Sequence, residues 1–374
     1  MHSVKMMNKK AGIYIHIPFC KRKCPYCDFY SVAGCDIQKT DYVNALISHI
    51  KSYMDKYISA DTVYFGGGTP TALSANQLCE ILNAVREGFS LTEDCEITTE
   101  ANPCTVDYDY LKTLRENGFN RISFGVQSAQ DSELQLLGRL HSFDTACKAV
   151  HDAVKAGFDN ISCDLMIGIP GQTVDSLCDS VDKLSQLGVS HISAYMLKIE
   201  EGTAFDCDSI RSSVADEDLS ADMYLAAVDR LSKHGFEQYE ISNFCKDDKR
   251  SRHNMKYWNL DDYIGFGPCA HSYFEGKRFY YDRSLEQYVS NQYSSQLVED
   301  NSPDKLYEYV MLSLRLSDGI SKETYISLGG NEKQFDKNAN MLVKASLAEF
   351  TDIGIALTPR GFLLSNSIIL KFLE

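Results

Sequence analysis

What limits this chain most is a rhythm. Segments with strand patterns, at 13–19, 62–65, 96–100, 121–126, 161–167 and 191–197, alternate with helical periods at 40–57, 75–88, 107–117, 143–156 and 174–187. Ile13, Ile15 and Ile17 share one face at period two, and Pro18 ends the ladder. Gly118, Gly157 and Gly188 follow helices, where a left-handed cap is expected. Each helix leads into the next strand within a few residues. Units this tight imply parallel strands joined by right-handed crossovers. The expected fold is therefore α/β: a partial (β/α)6 barrel of the TIM type, with its site at the carboxyl ends of the strands.

The 374 residues leave room for an appendage to that barrel. Residues 1–205 are expected to form the barrel. Residues 206–302 begin with a linker rich in Asp and Ser, continue through a helix at 217–234, and end in an aromatic segment that caps the barrel. Residues 303–374 are expected to form a small α+β, winged-helix-like domain. Its helix is marked by Leu306, Tyr309, Val310, Leu312 and Leu316, and its hairpin covers 354–364 with the turn at 359–361. A net charge of −15 argues against a nucleic-acid partner. No apolar run is long enough for an integral membrane segment, and the basic start lacks a signal-peptide core, so a cytoplasmic protein is expected. Thirteen cysteines without paired spacing suit a reducing compartment, and most of those outside the first loop are expected to be small core residues.

The first strand runs straight into three thiols, Cys20, Cys24 and Cys27, spaced C-x3-C-x2-C. A structural zinc site usually takes four ligands, and no second Cys pair or His pair follows. On a cubane of four irons, three thiolates leave one iron open to another ligand. Lys21, Arg22 and Lys23 fill the first gap, where cations favour thiolates and partly neutralise an anionic cluster.

The triplet, its preceding Tyr-Ile-His-Ile-Pro-Phe strand and an aromatic before the last cysteine resemble the radical S-adenosylmethionine (SAM) superfamily. More narrowly they resemble its oxygen-independent coproporphyrinogen III oxidase-like branch, which includes the heme chaperones. The resemblance implies a [4Fe–4S] cluster on Cys20, Cys24 and Cys27 whose open iron takes SAM, together with a reductant such as flavodoxin or ferredoxin. An electron from the cluster then cleaves SAM to methionine and a 5'-deoxyadenosyl radical. It also implies SAM contacts at Tyr14, Phe29, Gly67, Gly68, Thr69, Glu100, Gln127, Arg139 and Asp164. Tyr64-Phe-Gly-Gly-Gly-Thr-Pro70 matches the glycine motif that holds the SAM amino group, and its glycines would offer unhindered backbone groups. Asp164 lies in an apolar strand and needs a partner, for which a ribose hydroxyl or Arg139 would serve.

A second region, His253-Asn-Met-Lys-Tyr-Trp258, resembles the signature of the heme-chaperone branch. It makes His253 the first candidate heme ligand, Tyr257 and Trp258 candidate stacking faces, and His271 the reserve ligand. The true oxidases carry a fourth nearby cysteine, whose place is taken here by Phe29, and a longer leader. The expected function is thus a heme chaperone that binds cluster, SAM and heme and delivers heme to an acceptor protein. The alternative is a coproporphyrinogen III oxidase, and a weaker one is a radical SAM methyltransferase.

Overall fold

The computed structural model describes residues 9–54, 57–290 and 297–373. The expected parallel run is there. Strands β1 (Lys9–Ile17), β2 (Ile58–Gly67), β3 (Ser90–Ala101), β4 (Arg121–Gln127), β5 (Ile161–Ile167) and β6 (His191–Met196) each pair in parallel with the next. The crossover helices bury one stripe each and are capped as the sequence suggests. Ser74 accepts from the N–H of Gln77, Ser142 from Thr145 and Thr173 from Ser176, and Gly157 closes its helix in the left-handed conformation. The helix expected at 40–57 forms as Asp36–Lys51, and positions 55–56 lie outside the described residues.

The segment after residue 206 does more than cap the barrel. Strands β7 (Glu237–Glu240) and β8 (Asn243–Cys245) join the sheet beside β6. Strands β9 (Tyr263–Phe266), β10 (His271–Phe274), β11 (Lys277–Tyr281) and β12 (Leu297–Asp300) join beside β1. The chain therefore crosses from one edge of the curled sheet to the other between β8 and β9. It crosses as the helix Arg252–Asn259, which closes the amino-terminal end of the barrel. There Lys256 pairs with Asp61 at 2.8 Å, both nearly buried, and the N–H groups of Arg252 and His253 donate to Glu96.

Residues 303–373 supply helices and a three-stranded antiparallel sheet of their own. Two expectations are corrected. The hairpin pairs Ala348–Phe350 with Gly354–Leu357, so its turn falls at 351–353, whereas Pro359 opens the helix Pro359–Leu363. Proline suits a first helical turn, and Thr358 caps that turn by accepting from Gly361. The Asp/Ser linker contains the helical turn Asp208–Arg211. Among the cysteines, Cys79, Cys95, Cys163 and Cys245 are buried as expected, but Cys35 and Cys207 are exposed. One hydrophobic cluster runs from β1 to the final helix. We propose the boundaries at 205 and 302 as changes of role, not breaks in the core. No helix among the described residues is long and apolar enough to cross a membrane.

Candidate functional site

Alternation along β1 sends Ile13, Ile15 and Ile17 into the helix layer, all fully buried. Tyr14 and His16 therefore face the barrel interior, where Tyr14 hydroxyl and His16 Nδ1 lie 3.2 Å apart. Beyond β1 the chain folds into the cysteine loop. It is pinned by Cys20 N–H to Val32 carbonyl (3.1 Å) and by a turn from Cys27 N–H to Cys24 carbonyl (3.1 Å). All three thiols are free and half-buried. Among the described residues no three His, Cys, Asp or Glu side chains close on a single metal ion. Two polar groups already address the sulfurs: Thr69 Oγ1 lies 3.4 Å from Cys20 Sγ, and Arg139 Nη1 lies 3.6 Å from Cys24 Sγ.

The glycine motif packs closely against the end of β1 and the loop that follows it. Gly68 N–H donates to Ile17 carbonyl (2.9 Å) and Thr69 N–H to Phe19 carbonyl (2.7 Å). These donors are committed within the protein, so contacts to a ligand fall to the carbonyl oxygens. A Cβ at Gly67, where φ is +109°, would stand 2.7 Å from the His16 ring, and one at Gly68 would stand 2.8 Å from Phe19 carbonyl. The glycines let two loops pack backbone to backbone. Gly66 opens space toward the lumen instead, since its Cβ would meet Glu100 Oε1 and the ring of Tyr14, each at 3.2 Å.

Beside that space stand two carboxylates. Glu100, at the end of β3, accepts from Tyr64 hydroxyl (2.8 Å), and burial pushes its pKa up to about 7. Asp164 accepts from Ser123 hydroxyl (3.2 Å), and burial pushes its pKa up to about 6. At the end of β4, Gln127 adopts φ +76°, a strained value for a non-glycine residue, beside Arg139 near Gly125. Arg139 Nε is buried with no partner. Two desolvated carboxylates and a partly unsatisfied guanidinium fit a ligand that brings an ammonium, a carboxylate and sugar hydroxyls. The fold thus brings Tyr14, Gly67, Gly68, Thr69, Glu100, Gln127, Arg139 and Asp164 to one mouth. Phe29 is the outlier: it is 69% exposed, whereas Tyr14 and Tyr26 are tied into their surroundings by ring contacts.

His253 is corrected as a heme ligand. It is fully buried, and both ring nitrogens are engaged, Nδ1 with Thr62 hydroxyl (2.8 Å) and Nε2 with Tyr257 hydroxyl (2.9 Å). It lies at the level of Gly12, Thr62 and Glu96, beneath a layer formed by Tyr14 and Tyr64, whose rings stack on it at 6.3 and 5.3 Å. Desolvation lowers its pKa to about 3. Tyr257 is held in the same plug against Tyr263 (4.6 Å), and Trp258 is half-buried on the same helix. His271 is exposed instead. It opens β10 two strands from β1, and its ring stacks on Tyr280 at 4.8 Å and 20°.

Sequence reasoning passed over His16, Gly66, Tyr64 and Ser123. The signal for the first three was present in the period of β1 and in the glycine run itself. Ser123 needed the β4–β5 register, which pairs it with Ser162, two residues before Asp164 on β5.

Comparison with known proteins agrees with this geometry. The sequence model of the Radical SAM superfamily matches residues 14–184. A protein named heme chaperone HemW from Bacillus subtilis is 34% identical over 96% of this chain and 98% of its own length. The protein of the same name from Escherichia coli is 32% identical over 97% and 98%. Among solved structures, the Escherichia coli coproporphyrinogen III oxidase HemN, titled a radical SAM enzyme, superposes with a TM-score of 0.82. It covers 98% of this chain and 90% of its own at 21% identity, which shows a shared fold. The chain belongs to the radical SAM superfamily, in the coproporphyrinogen oxidase-like branch and close to the heme chaperones.

Proposed function

We propose that this protein is a heme chaperone that binds a [4Fe–4S] cluster, SAM and heme, and passes heme to an acceptor protein. Superfamily membership implies the cluster, SAM and a source of electrons. The heme reading is carried by the end-to-end match to proteins named heme chaperones, whereas the oxidase shares only the fold. Phe29 in the place of the oxidase cysteine points the same way.

Cys20, Cys24 and Cys27 would hold three irons as thiolates, with Arg139 balancing charge beside Cys24. When bound, the cluster supplies one electron and an iron open to a ligand. Glu100 and Asp164 ionise against an arriving cation and hydroxyls, and Gln127 and Arg139 orient the ligand's polar end. For heme, His271 replaces His253 as first candidate. Partial desolvation and the guanidinium groups of Arg278 and Arg283 lower its pKa, so a neutral ring is available as a ligand near neutral pH.

Heme titration of His271→Ala and His253→Ala tests this reading, with iron and sulfide measured on both. The expected result is at least about a tenfold loss of heme affinity in His271→Ala with the cluster retained, and little loss in whatever fraction of His253→Ala folds. Unchanged affinity in His271→Ala refutes the ligand assignment. Steady conversion of coproporphyrinogen by the reduced, SAM-loaded protein refutes the chaperone reading.

A further inference from the structure

The loop between the first two cluster cysteines carries charge of the wrong sign for this chain. The protein as a whole is at −15, yet Lys21, Arg22 and Lys23 are consecutive and all exposed. Among the described residues none of the three forms an ion pair with a carboxylate. Arg22 donates instead to the carbonyl of Gly138, which anchors the loop to the turn before Arg139. The loop's own carboxylate, Asp28, is met by Arg283 at 3.7 Å, so it is not left to offset these three cations. Asp206, next to the Phe205 that hydrogen-bonds Pro25, is paired with Arg211. The rim above Cys20, Cys24 and Cys27 is therefore net positive and unneutralised.

Three exposed lysine and arginine side chains beside a redox centre have a bland role, which is to offset cluster charge. That role does not require them to face solvent, and Arg139 already fills it from within. Exposure adds a long-range positive field at this face of a protein whose net charge is −15. The thiols beneath are only half-buried, so a cluster they held would be approached from this face. Electron transfer weakens steeply with distance, and a partner must come to this face to deliver an electron.

We propose that Lys21, Arg22 and Lys23 form the docking face for a small acidic one-electron carrier protein. This rests on the reading that Cys20, Cys24 and Cys27 hold the cluster. In the encounter the carrier's reduced centre loses one electron and the cluster gains it, and no bond or proton is exchanged. Electrostatic steering of this kind sets the association rate more than the affinity, as suits a partner that must leave after each transfer.

The test uses the reconstituted protein and a photoreduced acidic [2Fe–2S] ferredoxin, with cluster reduction followed by stopped flow across ionic strength. Lys21→Glu combined with Lys23→Glu leaves the Arg22 anchor intact. The expected result is a second-order rate at least about tenfold slower than wild type at low salt, converging with it at high salt. Iron content and the extent of reduction by excess dithionite should be unchanged. That control separates the two readings, because loss of the cluster in wild-type protein would strike the cluster assignment, not the docking face. If the double variant loses iron, Lys21→Gln with Lys23→Gln is measured instead, and an intermediate rate is expected. A wild-type rate in a cluster-replete variant, or a wild-type rate indifferent to salt, overturns the proposal. So does charge-dependent binding to anionic vesicles with carrier-driven reduction left intact, which would make the face a membrane contact.

Discussion

Replacing Glu100 by Gln removes an ionisation that the fold makes unfavourable. Burial holds the Glu100 pKa at about 7, against an ordinary 4.5. Because the folded-state value is the higher one, the folded protein binds this proton more tightly than the unfolded chain. The contribution is fully present below pH 4.5 and is lost as pH rises through 7. At 1.36 kcal/mol for each tenfold change, ionising Glu100 in the empty barrel costs about 3 kcal/mol at pH 8 and about 1 kcal/mol at pH 5. Gln keeps an acceptor for Tyr64 hydroxyl but never ionises. The cluster- and ligand-free variant should therefore be the more stable protein at pH 8, by about 2–3 kcal/mol, and gain little at pH 5. In a chain of this length that is roughly 3 °C in Tm, readable by scanning calorimetry at the two pH values. The same variant should bind SAM at least about tenfold more weakly at pH 8, because a neutral amide replaces the carboxylate that meets an ammonium. Identical Tm values at pH 5 and 8 in wild type and variant would refute the desolvation argument. Undiminished SAM affinity would remove Glu100 from the site.

Changing Cys20, Cys24 and Cys27 together to Ala should abolish bound iron and sulfide and the visible absorption, while circular dichroism stays that of the wild type, since the loop is half-exposed; a full complement of iron would end the assignment. His253→Ala should lower stability by about 2–5 kcal/mol in urea unfolding, because a buried ring and two hydrogen bonds are lost at the barrel plug, and a near-neutral result would contradict the packing described. Gly67→Ala should cost about 3 kcal/mol and displace His16, with SAM binding weakened as the loop shifts; the double change Gly67→Ala, His16→Ala should recover part of it, and absence of any recovery would sever the link between ring and glycine. Asp61→Asn should destabilise by about 3 kcal/mol, checked by the same unfolding measurement, since it leaves Lys256 buried with half its partner gone.

Much of the barrel was legible because its signals are local. Period-two alternation, cap residues and the short reach from helix to strand specify β1 to β6 and the helices between them without knowledge of what they pack against. Because strand ends in a parallel barrel converge, residues picked from six separate places met at one mouth. The errors came where a local pattern had more than one tertiary use. Pro359-Arg-Gly361 looks like a turn, but proline also opens helices, and packing against 347–358 selected the helix. The glycine run was expected to offer unhindered backbone groups to a ligand, and only the structure shows that carbonyls on β1 and the next loop already take the N–H groups of Gly68 and Thr69.

His253 shows the division most sharply. The sequence could say only that an imidazole stands near aromatic residues on a helix. Which end of the barrel that helix closes depends on β8 pairing beside β6 and β9 beside β1, two contacts far apart in the chain. Once those edges are joined, the helix between them must pass under the barrel. His253 is then enclosed by Thr62, Tyr14, Tyr64 and Tyr257, while His271, on the far side of β9, is left in solvent. Sequence alone determined the elements, the cysteine loop and the carboxylates at strand ends, because spacing along one strand decides them. Tertiary structure decided which histidine is exposed and which donors remain available, because burial is set by sheet order and not by neighbours in the chain.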